Sequence, residues 1–118
     1  MRDHSRLRSF QQADRLAKEI YQITASFPRT EVFGLTSQLR RSAVSVATNI
    51  VEGCARTSEA EYLRFLDIAY GSAKEVEYQI GLSRHLGFIG EVDALKTLTS
   101  CALTAKLLCR LIMAIRAK

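Results

Sequence analysis

The sequence predicts an all-α fold: an up-down-up-down antiparallel four-helix bundle that associates with copies of itself. Three observations predict it. Apolar residues recur at three- and four-residue steps in four separate segments. Six Gly and one Pro in 118 residues leave room only for short links. Two of the segments carry more apolar surface than a lone bundle can bury. Strand-like alternation is absent. The length suits one domain, residues 1–118, with a core of its own. Residues 1–6 are expected to form a flexible basic arm.

In the first helix Phe10, Ala13, Leu16, Ala17, Ile20, Ile23, Thr24 and Phe27 keep helical spacing. Pro28 ends it, because the residue before Pro avoids helical geometry, and Arg29 to Phe33 is a connector. The second helix is expected from about Gly34 to Glu52, with Gly53 placed to stop it in a left-handed conformation. Ser58-Glu59-Ala60-Glu61 reads as a capping box, Ser58 accepting from an orphan amide while Glu61 reaches back. The third helix then aligns Tyr62, Phe65, Leu66, Ala69, Ala73, Val76 and Ile80 on one face. Gly87 suits its stop, with Phe88 folding back. The fourth begins near Gly90, where Glu91 and Asp93 favour the positive end of the helix dipole. Short links make consecutive helices antiparallel neighbours.

The fourth helix has an apolar surplus. From Cys101 to Ile115 only Thr104, Lys106 and Arg110 are polar. Leu103, Leu107 and Leu111 lie on one side, Leu108 and Ile112 on another, and Ile115 between them. The second helix shows the same excess, its apolar arc extended by Val44 and Val51. Val44, Val51, Leu103, Leu107, Leu111 and Ile115 are therefore the expected subunit contact.

Net charge is +5. It serves solubility in the plainest reading and attraction to nucleic acid or another polyanion in the sharper one. Arg2, Arg6 and Arg8 crowd the start, and after Asp93 only cations follow. Cys54, Cys101 and Cys109 make an odd count without CxxC spacing, against a disulfide framework or zinc site. Each sits among apolar neighbours and is expected to be a buried thiol in a reducing compartment. The polar N-terminus does not read as a signal peptide, and no apolar run of about 18 residues is apparent. A cytoplasmic protein without membrane contact is expected. His4 and His85 lack metal-ligand spacing, the Glu-x-x-His pairing of di-iron bundles is missing, and no phosphate-binding glycine loop occurs. Glu52, Glu59, Glu61, Glu75 and Glu77 read as caps and ion pairs. No enzyme, cofactor or metal is expected.

One polar strip stands out on the second helix. At about 100° per residue, Gln38, Arg41, Ser45, Asn49 and Glu52 fall close together, offering amides, a guanidinium, a hydroxyl and a carboxylate. Two readings remain open. In the first, Ser45 and Glu52 join Glu61, Ser72, Glu75 and Gln79 of the third helix in a polar seam, with an Arg41–Glu75 ion pair and an Asn49–Gln79 or Asn49–Glu61 contact. Such a seam is tolerated only if fully paired. In the second, Gln38, Arg41 and Asn49, with Arg56 one turn on, contact nucleic-acid phosphate, and Arg40, on another face, joins them as a nucleic-acid-binding residue that lines a subunit boundary or channel. Tyr62 reads as core.

The pieces Phe27-Pro28, Phe33-Gly34-Leu35, Gln38-Leu39-Arg40-Arg41-Ser42-Ala43-Val44-Ser45, Asn49-Ile50, Glu52-Gly53, Ala55-Arg56, Phe65-Leu66, Ile68-Ala69, Gly71-Ser72 and Leu86-Gly87 carry a resemblance. The chain from Leu7 onward resembles the bacterial four-helix bundle proteins encoded in intervening sequences of 23S ribosomal RNA genes, the S23 proteins. Phe10 stands where that family often has Trp. Ala47 stands where it usually has Pro, so this helix is expected to be straighter. The resemblance implies a ring-like homopentamer around a central channel. It also implies kinship with the accessory proteins of diversity-generating retroelements, basic binders of nucleic acid and reverse transcriptase. The function expected is a non-enzymatic, homo-oligomeric basic protein that binds structured RNA such as ribosomal RNA. The alternative is a protein-interaction scaffold or accessory factor, for example for a reverse transcriptase.

Overall fold

A computed structural model describes residues 2–118. It contains four long helices, α1 (Arg8–Thr24), α2 (Leu35–Cys54), α3 (Glu59–His85) and α4 (Glu91–Arg116), with single 3-10 turns at His4–Arg6 and Arg29–Glu31. No strand occurs among the described residues. The helices form a body of 45 × 23 × 19 Å. α2 packs on α1 and α3, and α4 packs on α3 and α1. No Cα of α2 comes within 8 Å of one in α4, so these two helices lie across the body from each other.

Local chemistry explains the boundaries. α1 buries Ala13, Leu16, Ile20 and Thr24, and the buried Thr24 hydroxyl donates to the Ile20 carbonyl at 2.6 Å. Past the turn that follows, the Glu31 carboxylate accepts from the Leu35 amide at 3.0 Å, so the connector satisfies an orphan donor of α2. Ser58 caps α3, accepting from the Glu61 amide at 3.1 Å. The Glu61 carboxylate turns to Arg64 at 3.0 Å, so only half of the capping box forms. Gly87 has a φ of 80°, and the Phe88 amide donates back to the Ser83 carbonyl at 2.9 Å, the pattern of a glycine-terminated helix. The Phe88 ring then meets Phe27 at 5.9 Å, tying this link to the segment after α1.

Gly53 departs from the expectation. It is helical and lacks a left-handed φ. Its role is close approach: a Cβ there would meet Phe65 Cβ at 3.1 Å and Tyr62 Cδ1 at 3.2 Å. α2 therefore runs on to Cys54.

α4 is apolar on its outward side as well as on its inward one. Its inward stripe is Ala94, Thr97, Cys101, Thr104, Leu108, Ile112 and Ile115. The buried Thr104 hydroxyl donates to the Ser100 carbonyl at 2.8 Å. Val92, Leu95, Leu103 and Met113 face outward, 80%, 56%, 42% and 64% exposed. Ile115 belongs to the core, which corrects its assignment to a subunit contact; Leu111 is half-buried against the same core, and Leu107 is half-buried. An 18-residue window of α4 reaches a mean hydropathy of 1.6, long and apolar enough to cross a membrane by length and composition. The run is not evident in the sequence because Lys106 and Arg110 interrupt it. Cys54 and Cys101 are buried as expected, but Cys109 is exposed.

Two outcomes follow for measurement. Gly53→Ala is expected to lower unfolding stability by about 1–3 kcal/mol through overpacking. Gly71→Ala, whose Cβ enters open space, is expected to raise it by about 0.5–1 kcal/mol. Urea titration of both variants checks the pair. Burial pushes the Cys101 thiol up to about 12 and raises that of Cys54. Both are expected to resist a thiol reagent at neutral pH until the protein is denatured, as mass spectrometry of labelled chains would show.

Candidate nucleic-acid interface

The polar strip of α2 divides into parts with different fates. Ser45 Oγ and Ser72 Oγ lie 2.9 Å apart, linking α2 to α3. The Asn49 amide donates to Ser45 O at 2.8 Å and Ser45 Oγ at 2.9 Å, on its own helix. The expected contacts of Asn49 with Gln79 or Glu61 do not form. Neither does the Arg41–Glu75 ion pair: Arg41 is exposed and donates to Ser37 Oγ at 3.2 Å. Gln38, Arg41, Ser42, Glu75 and Gln79 surround a shallow cavity of about 330 Å³, into which the two charges open without meeting. Gln79 is buried and its Oε1 has no partner.

Glu52 and Glu61 leave the seam for the surface. Glu52 pairs with Arg56 at 2.6 Å and Glu61 with Arg64 at 3.0 Å. Long side chains one turn apart reach each other without crossing to a second helix, and that local option wins. The seam is thus reduced to Ser45, Ser72 and Asn49.

Arg40 is a structural residue. Its Nε donates to Thr24 Oγ1 at 2.9 Å, and its guanidinium lies 4.6 Å from the centre of the Tyr21 ring. Both partners are in α1, so Arg40 clamps α1 to α2 and its Nε is not free for a ligand. Thr24 accepts from Arg40 while donating to Ile20, which satisfies the buried hydroxyl on both counts. Nothing in the spacing of Thr24 and Arg40 announces this pairing.

The arm expected to be flexible is folded onto the body; Met1 lies outside the described residues. Asp3 Oδ1 accepts from the Ser5 amide at 3.1 Å and the Ser5 hydroxyl at 2.6 Å, bonds that hold its carboxyl below the usual range. The His4 ring meets Phe10 edge-on at 4.8 Å. Arg2 stacks 4.1 Å above the centre of the Tyr62 ring and donates to the Arg56 carbonyl at 2.6 Å. That carbonyl lies just past the negative end of α2, where a cation is favoured. Beside it, Arg56 and Arg64 stand 4.9 and 4.5 Å from the centre of the Phe65 ring. Three guanidiniums therefore rest on two aromatic rings at the α2–α3 link. Tyr62 is core, as expected. Burial, with the neighbouring Cys54, pushes its hydroxyl up to about 12.

Among the described residues, no group of three or more His, Cys, Asp or Glu side chains gathers where it would hold a metal ion. The fold and surface define a small, basic, all-helical bundle protein. The family model described as 23S rRNA-intervening sequence protein matches residues 5–110, and the chain belongs to that family. It is similar in structure to a protein of unknown function from the S23 ribosomal protein family of Bacteroides thetaiotaomicron VPI-5482. The two share 24% identity at a TM-score of 0.79, over 88% of this chain and 97% of that one. That likeness shows a common fold. No curated protein matches the chain.

The clamp and the free arginine separate in a simple measurement. Arg40→Ala is expected to cost about 1–2 kcal/mol of unfolding stability, from the lost stacking and hydrogen bonding, with Arg40→Lys recovering little of it. Arg41→Ala is expected to stay within about 0.5 kcal/mol of the parent protein. Chemical denaturation of the three variants decides.

Proposed function

We propose that this protein is a non-enzymatic homo-oligomer that binds nucleic acid, with structured RNA such as ribosomal RNA as the ligand. The observation that carries the reading is the placement of its exposed apolar residues. Val44 and Val51 lie on α2, and Val92, Leu95, Leu103 and Met113 lie on α4, the two helices that do not touch. Faces on separate sides of one body pair head to tail between copies. Such heterologous contacts close into a ring when the rotation allows. The family resemblance supports five copies. A pentamer would raise the formal charge from +5 per chain to about +25 and strengthen salt-dependent binding to a polyanion. The family's description, which refers to 23S rRNA, supports RNA over other polyanions.

The helix order is read as up-down-up-down. Two contacts support it: Arg116 at the end of α4 pairs with Asp67 near the start of α3 at 3.1 Å, and Arg84 near the end of α3 approaches Glu91 at the start of α4 at 3.7 Å. Three unpaired thiols support a reducing, cytoplasmic setting. A second reading is a scaffold or accessory factor for a polypeptide such as a reverse transcriptase. The observation favouring it is Phe33, 96% exposed, next in the chain to the half-exposed Val32, which shares a surface cavity with Tyr21.

Light scattering is expected to return a multiple of the 13.2 kDa chain mass, and Leu103→Lys or Val44→Lys to shift it toward one copy. Filter binding to an RNA hairpin is expected to weaken steeply with added salt. A monomeric parent protein, or RNA retention indifferent to salt, would overturn the proposal. Binding to a reverse transcriptase that Phe33→Ser abolishes, without RNA binding, would favour the second reading.

A further inference from the structure

Resting on the nucleic-acid reading above, we propose that Arg2, Arg56 and Thr57 form a cleft for the phosphodiester backbone of that ligand. This moves the principal contact from the strip of α2 to the link between α2 and α3. Arg2, Ala55, Arg56 and Thr57 line an open cavity of about 430 Å³, within the roughly 300–1,000 Å³ of ligand clefts. The lining contains two guanidiniums, a hydroxyl and two methyl groups, and no carboxylate. That is a donor set for a phosphate.

The way the two arginines are held sharpens the inference. Arg2 makes no ion pair among the described residues. It is positioned by the Tyr62 ring and by one bond to the Arg56 carbonyl, which leaves most of its five N–H donors unspent. Arg56 shares its charge with Glu52 but is also steadied against Phe65. A guanidinium fixed by stacking has little rotamer freedom left to lose when it meets a phosphate oxygen. Two of the neighbouring acids are turned elsewhere, Asp3 to Ser5 and Glu61 to Arg64, and Glu52 is the one that stays on Arg56. Thr57 is exposed, and its hydroxyl makes no hydrogen bond among the described residues. The other candidate cations fit less well. Arg40 is spent on α1, and Arg41 shares its cavity with Glu75, whose charge repels phosphate.

The test uses the full chain, a fluorescein-labelled RNA hairpin and, separately, inorganic phosphate. In anisotropy titrations Arg2→Ala is expected to weaken hairpin binding about five- to tenfold at low salt and to reduce the slope of log K against log salt by about one. Arg2→Lys is expected to restore the slope but only part of the affinity, and Thr57→Val to cost about two- to threefold. Arg8→Ala removes the same charge from the same end of the chain outside the cleft and serves as the control, with thermal melts confirming that each variant is folded. Equal losses from Arg2→Ala and Arg8→Ala would overturn the cleft in favour of diffuse attraction. Hairpin binding untouched by Arg2→Ala would overturn it while leaving the nucleic-acid reading intact. A parent protein that binds no RNA overturns both, and one that then takes up inorganic phosphate through Arg2 has a free-anion site instead.

Discussion

The constraint on which the rest of this structure depends is the narrow inward stripe of α4. Ala94, Thr97, Cys101 and Thr104 are small, and at least the Thr104 hydroxyl bonds back to its own helix. The first half of α4 therefore presents no large side chain to the core, and Leu108, Ile112 and Ile115 do so in the second half. Around that first half of α4 the filling of the core falls to the leucines and isoleucines of the other helices, such as Leu16, Ile20, Leu39 and Ile80, while Leu108, Ile112 and Ile115 fill it further along α4. Of the leucines of α4 only Leu108 is fully buried, and Leu95 and Leu103 lie outward. The apolar exterior follows from the same packing decision as the slim body.

Much of this was legible in the chain and some was not, for definite reasons. Helix existence follows from local periodicity, and the helix ends at Ser58 and Gly87 from residue-specific capping chemistry. Gly53 was misread because a glycine near a helix end looks alike whether it relieves backbone strain or admits a neighbour. Only the position of Tyr62 and Phe65 distinguishes the two. Ile115 was misread because a helix that is apolar nearly all round gives its angular pattern no contrast. The polar strip was legible as an arc and not as a set of bonds. Arg41, Asn49, Glu52 and Glu61 each had a local and a distant partner on offer, and the local one was closer.

The charges of the surface show a division of labour. Some arginines are neutralised in local ion pairs, as Arg64 is by Glu61. Arg40 serves as mortar between helices. Arg2 is held by an aromatic ring and a carbonyl, neither of which cancels its charge. A cation secured by neutral groups is immobile yet still fully attractive to an anion, and that distinction is invisible in a net charge.

Gly53 and Arg2 are linked through the ring between them. The missing methyl group at position 53 lets Tyr62 lie against the backbone of α2, and that same ring is where Arg2 rests. A shape property of one residue thus becomes a field property of the surface. The absence of a single carbon decides where a positive charge from the far end of the chain comes to stand.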